Sequence, residues 1–121
     1  MYPEMLLFKK DLVPLIIEKR KWQTRRVWKR RRVRPGSMQK AKTQMLSSDW
    51  FAVLPITRVW RQRLGNITEA EAHAEGFSSL AEFKEYWTRL HGKFDPDLEV
   101  FAVEWDTSRM VVNDQFGDES Q

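Results

Sequence analysis

The alternation of apolar and polar positions divides the chain into short elements. Met5 to Lys9 predicts a first strand. Asp11 is placed to cap a helix over Leu12, Val13, Leu15, Ile16 and Ile17, with Pro14 in its first turn and its end near Lys19 or Arg20. From Lys21 the period changes to that of a strand, with Trp22, Thr24 and Arg26 on one face and Gln23, Arg25 and Val27 on the other. Lys29 to Ser48 has little periodicity and reads as a long, mobile loop with a short strand near Thr43 to Leu46. The β-branched and aromatic stretch from Trp50 to Arg63 predicts a strand, in which Pro55 demands an edge or a bulge.

Two helices follow, each with its own punctuation. Thr68 and Glu71 form a capping box and Gly76 stands at the left-handed position that ends the first helix. Ser79 and Glu82 form a second box, Leu80, Phe83, Trp87 and Leu90 make an apolar stripe, and Gly92 closes it. Leu98 to Trp105 predicts a closing strand, apolar on both faces, and the polar remainder from Thr107 reads as a flexible tail over 107–121. Short strands, one early helix and two late helices predict an α+β domain over 1–106, built as a small closed or partly closed β-barrel. No internal repeat is present.

Composition narrows the function classes. A chain of 121 residues fits one domain with one core, and six tryptophans and seven phenylalanines supply the apolar surface that such a small domain needs. The absence of cysteine and of an opening signal peptide predicts a cytoplasmic protein without disulfides. No apolar run approaches the roughly 20 residues that cross a bilayer, so no membrane partner is expected. The net charge is +4, yet Arg25, Arg26, Lys29, Arg30, Arg31, Arg32 and Arg34 crowd into ten residues. A run of that density is either a solvated face or a phosphate-binding surface for nucleic acid.

Two histidines without cysteine leave little scope for a transition metal, and His73 and His91 read as surface or helix-end residues. Phosphate loops, nucleophile elbows and dinucleotide fingerprints are missing, which leaves Lys, Thr, Glu and Arg as candidate chemistry. Lys21 and Thr24 stand three apart at the helix-to-strand joint, and they converge only if Lys21 lies in the turn. A lysine whose pKa is depressed by burial or neighbouring cations can serve as base toward a threonine hydroxyl; otherwise the pair is a solvated lysine and a strand threonine. Glu75 opposes the dipole at a helix end, which marks either a site or an ordinary surface glutamate.

The helix end Glu18-Lys19-Arg20-Lys21, the Thr24 and Arg26 that follow, and Ile67-Thr68-Glu69 running into Ala74-Glu75-Gly76-Phe77 resemble the ASCH domain. Phe83-Lys84 and the closing Val100-Phe101-Ala102-Val103-Glu104 extend the resemblance over about Met5 to Asp106. The resemblance implies a PUA-like fold, a small β-barrel with flanking helices and a cleft that commonly faces RNA. Some small ASCH proteins are N4-acetylcytidine amidohydrolases with a Gly-x-Lys-x-x-Thr-x-Arg segment and a later glutamate. On that pattern Lys21, Thr24 and Glu75 are catalytic, with Lys21 as base, Thr24 as nucleophile, and Glu75 orienting Lys21 and helping to protonate the departing amine. Arg26 would fix a substrate oxygen or orient Glu75, and Trp22 or another cleft aromatic would stack on the base. Arg25, Lys29, Arg30, Arg31, Arg32 and Arg34 would hold nucleic acid. The implied partner is a modified nucleoside or RNA, with neither cofactor nor metal. RNA binding without chemistry and ribonuclease activity are the alternatives. This sequence departs from the pattern at Lys19, where the motif has glycine, and in the long basic insertion after Arg26.

Overall fold

A computed structural model describes residues 4–117. The strands are β1 (Met5–Leu7), β2 (Gln23–Arg26), β3 (Met38–Lys42), β4 (Ala52–Arg63), β5 (Glu99–Trp105) and β6 (Val111–Val112). The helices are α1 (Val13–Ile17), α2 (Glu69–Ala74) and α3 (Leu80–His91). The sheet runs β1-β3-β4-β5-β2, and β6 pairs with β4. Among the described strands, only β1 and β3 pair in parallel. The long β4 gives its first half to β3 and its second half to β5, with a register shift between Ile56 and Arg58. Pro55 sits at this change of partner, where a missing N–H costs least.

The two ends of the sheet, β1 and β2, are joined by a side chain. The Arg26 guanidinium donates through Nη2 to the Leu7 carbonyl at 2.7 Å and lies 4.8 Å from the centre of the Phe8 ring. The α+β class and the partly closed arrangement of the strands are as expected. The apolar interior, expected as one core, forms two clusters. Trp105, Phe8, Phe51 and Phe116 make a chain of edge-on aromatic contacts through the larger. The smaller lies between the sheet and α2/α3, around Leu64, Phe83, Trp87 and Val100.

Several local expectations are corrected. The third strand is Met38–Lys42, not Thr43 to Leu46, because Gln39 and Ala41 face inward while Met38 is exposed, inverting the usual cue. Leu46 is 96% exposed in a turn. The basic segment is anchored by buried Val33 and by the hydrogen bonds Gly36 N to Ile56 O and Ile56 N to Ser37 O. Residues 107–117, expected as a loose tail, instead contribute β6 and the Phe116 contact with Phe51; the rest of that tail, 118–121, lies outside the described residues. Asp11 caps nothing: it lies in a 3-10 turn over Lys10–Leu12 and accepts the Tyr86 hydroxyl. The Thr68/Glu71 box is complete, but Glu82 accepts from Ser78 N instead of returning to Ser79.

Helix α1 ends at Ile17, short of Lys19, in a Schellman turn in which Lys19 N bonds Ile16 O and Arg20 N bonds Leu15 O. Lys19 occupies its left-handed position at φ 65°, the one non-glycine residue with positive φ among those described. A side chain there costs roughly 1 kcal/mol or more. Lys19→Gly should therefore raise the unfolding free energy by about 0.5–1 kcal/mol, the relieved strain outweighing glycine's extra unfolded-state entropy. Urea denaturation checks this, and a lowered midpoint would contradict it.

Candidate functional site

The turn that ends α1 delivers Lys21 against the end of α2. Lys21 N bonds Leu15 O, Trp22 N bonds Ala74 O, and Trp22 O then accepts from Trp105 N at the start of the β2–β5 pairing. Close approach at this joint depends on Gly76, whose φ is +102° and where a Cβ would meet Leu15 at 3.1 Å and Lys21 at 3.2 Å. Lys21 therefore lies in the turn, as convergence with Thr24 requires.

Lys21 is 1% exposed. Its ammonium donates to Glu75 Oε1 at 2.9 Å, to the Glu75 carbonyl at 3.1 Å and to the Gln23 carbonyl at 2.8 Å, which occupies all three of its hydrogens. The contact with the Glu75 carbonyl also satisfies one of the acceptors left open at the end of α2. Burial lowers the Lys21 pKa from its ordinary 10.5; Glu75 opposes the shift, while Arg26 and Arg25 add to it. The neutral amine a base requires thus becomes more accessible.

Glu75 is held from its other side by Arg25, whose Nη1 donates to Oε2 at 3.2 Å. Arg25 also donates to Gln23 at 2.6 Å and Gln62 at 3.0 Å. Its Nη2 lies 3.1 Å from Glu71, a charge contact whose angle falls short of a hydrogen bond. The side chain is 0% exposed and committed to Glu75, Glu71, Gln23 and Gln62, where the sequence suggests contact with nucleic acid. The orientation of Glu75 expected of Arg26 falls to Arg25. The readable signal was Glu71 and Glu75 one helical turn apart, a pair able to receive a cation from β2.

Lys21, Thr24, Arg25, Arg26 and Glu75 line one cleft of about 490 Å³. Thr24 Oγ1 accepts from Arg26 Nε at 3.2 Å, and no described group accepts its own hydrogen. Thr24 and Lys21 share the cleft without a direct hydrogen bond. Burial pushes the Arg26 guanidinium down to about 10, with Glu75 opposing. Much of the remaining wall is apolar or aromatic, with Phe8, Leu12, Phe77, Tyr86, Trp87 and Leu90. Trp22, expected there as the stacking residue, instead packs against the larger core and lines a neighbouring groove of about 810 Å³ with Lys19 and Arg20. Of the cleft aromatics on α3, Phe83 and Trp87 were visible only as part of a core stripe, and Tyr86 not at all. His73 and His91 are both exposed, as expected, and His91, at the end of α3, also lines the cleft. Lys29, Arg30, Arg31, Arg32 and Arg34 are exposed in the segment between β2 and β3. Among the described residues no cluster of carboxylates and imidazoles is arranged to hold a metal, and no helix is long and apolar enough to cross a membrane.

The fold is shared with solved structures. An ASCH domain from Lactobacillus crispatus JV V101 superposes with a TM-score of 0.63 at 17% identity, covering 79% of this chain and 69% of that one. A DUF984 protein from Enterococcus faecalis V583 superposes with a TM-score of 0.61 at 19% identity, covering 88% and 80%. No protein-family model and no curated protein matches the chain in sequence. These likenesses define an ASCH-like fold.

Removing one member of a buried pair strands the other, which typically costs about 3 kcal/mol, whereas an exposed pair is worth under about 1 kcal/mol. Glu75→Gln should accordingly destabilise the protein by about 3 kcal/mol, and Glu18→Gln, which breaks the exposed pair with Arg20, by under about 0.5 kcal/mol. Equal losses in chemical denaturation would refute this ranking.

Proposed function

We propose that the protein is an amidohydrolase that removes an acyl group from the exocyclic amine of N4-acetylcytidine or a related modified nucleoside. The observation that carries this reading is a lysine buried to 1% exposure and bonded to Glu75, in the cleft that also holds Thr24. The motif resemblance and the ASCH-like fold support it, as does an aromatic wall suited to a base.

Neutral Lys21 takes the Thr24 hydroxyl proton, directly or through a water, as the hydroxyl oxygen attacks the acyl carbonyl carbon. Arg26, already donating to that hydroxyl, stabilises the negative charge that develops on the carbonyl oxygen. The carbon–nitrogen bond then breaks, and the Lys21 ammonium returns the proton to the departing amine. Both Glu75 oxygens already accept from cations, so proton delivery rests with Lys21, and Glu75 orients it. Water, activated by Lys21, cleaves the threonyl ester, releases the carboxylic acid and restores the Thr24 hydroxyl.

A second reading, RNA retention in the same cleft without chemistry, is favoured by the basic loop. Arg20, Arg58, Arg61 and Arg63 each pair with a carboxylate, whereas Lys29, Arg30, Arg31 and Arg34 make no ion pair among the described residues. Chromatography after incubation with N4-acetylcytidine separates the readings. Acetate and cytidine should appear with the wild type, and Thr24→Ala and Lys21→Ala should each lower turnover at least about 100-fold when assayed where the variant is folded, Lys21→Ala at a stability cost like that of Glu75→Gln. Unchanged turnover in either variant sinks the mechanism. A wild type that leaves N4-acetylcytidine intact but holds labelled RNA, with affinity falling steeply as salt rises, would select the second reading.

A further inference from the structure

Most polar groups around the cleft are committed to one another. Lys21 spends its three hydrogens, both Glu75 oxygens accept from cations, Arg25 is buried among carboxylates and amides, and Tyr86 gives its hydroxyl hydrogen to Asp11. A ligand base would find few polar contacts on the helical side. The exception is His91, the last residue of α3, which lines the cleft one helical turn beyond Trp87. Its ring stacks on that of Trp87, with centroids 4.0 Å apart and planes inclined by 28°. Neither nitrogen hydrogen-bonds to a described group.

The stack fixes the imidazole plane while leaving its polar edge open, the arrangement of a preorganised hydrogen-bonding group. A helix C-terminus ordinarily favours the imidazolium, but partial burial lowers the His91 pKa from its ordinary 6.5. The charged groups on the other walls, Lys9, Lys21, Arg25, Arg26 and Glu75, carry a cationic surplus that also disfavours another positive charge. The neutral ring offers one donor and one acceptor.

We propose that His91 is a specificity-determining residue that donates a hydrogen bond to the O2 or N3 edge of a cytosine base held against the aromatic wall of the cleft. The inference rests on the cytidine reading above and adds a residue that touches the base, not the acyl group. It therefore acts on binding more than on the chemical step.

The test compares wild type, His91→Phe and His91→Gln, using cytidine binding by calorimetry and, separately, kcat and KM for N4-acetylcytidine. Phenylalanine keeps the ring stack and loses the donor, so cytidine affinity should fall about tenfold and KM rise in parallel, with kcat held within about twofold. Glutamine keeps a donor and should recover most of the loss. Equal cytidine affinity in wild type and His91→Phe overturns the proposal, and so does folded wild type that binds no cytidine. Wild type that binds cytidine without deacylating N4-acetylcytidine overturns the hydrolase reading alone, and the His91 comparison then proceeds on binding.

Discussion

A lysine buried beside a carboxylate at the end of a helix is the constraint on which this small structure turns. Taking Lys21 and Glu75 out of water costs several kcal/mol per ion, recovered only if each is fully hydrogen-bonded. The surrounding elements supply those partners: α2 gives the Glu75 carbonyl and carboxylate, the start of β2 gives the Gln23 carbonyl, and Arg25 closes the far side of Glu75. Glu71 then balances Arg25, and Gln62 links the pair to β4. The network fixes the α2 end against the β2 start, where Gly76 permits close approach and Lys19 bears a strained turn.

The same network shapes the chemistry of the cleft. On β2, Arg25 enters the charge network at the end of α2, while Arg26 bonds the Thr24 hydroxyl and the Leu7 carbonyl, so neighbouring residues of one cleft wall serve different partners. Arg26 serves twice: it bridges the unpaired ends of the sheet through the Leu7 carbonyl and holds the Thr24 hydroxyl. Fold closure and site geometry therefore share a residue, and an arginine in that position is not replaceable by lysine, which lacks the planar fork.

Local rules made much of the fold legible in the sequence. Capping at Thr68 and Ser79, stops at Gly76 and Gly92, and the apolar run Val100 to Trp105 located α2, α3 and β5, because those signals act over a few residues. Long-range demands hid the rest. Gln39 faces inward on β3, and the contact of Phe116 with Phe51 depends on residues far apart in the chain. In the site, the position of Lys21 in a turn and the anomaly of Glu75 were readable. The burial of Arg25 was not, since a run of arginines looks uniform until a neighbouring helix supplies carboxylates. Trp22 left the cleft for a related reason: which groove a side chain enters is set by the packing of its neighbouring helices.

The account rests on burial outweighing the attraction of Glu75 for the Lys21 proton. Titration of the Lys21 amine by NMR, with Lys21→Met to assign its signal, measures that balance directly. A midpoint below the ordinary 10.5 is predicted, with the neutral amine gained as pH rises through it. A midpoint at or above 10.5 would show that the ion pair dominates, and would contradict a base poised in this cleft.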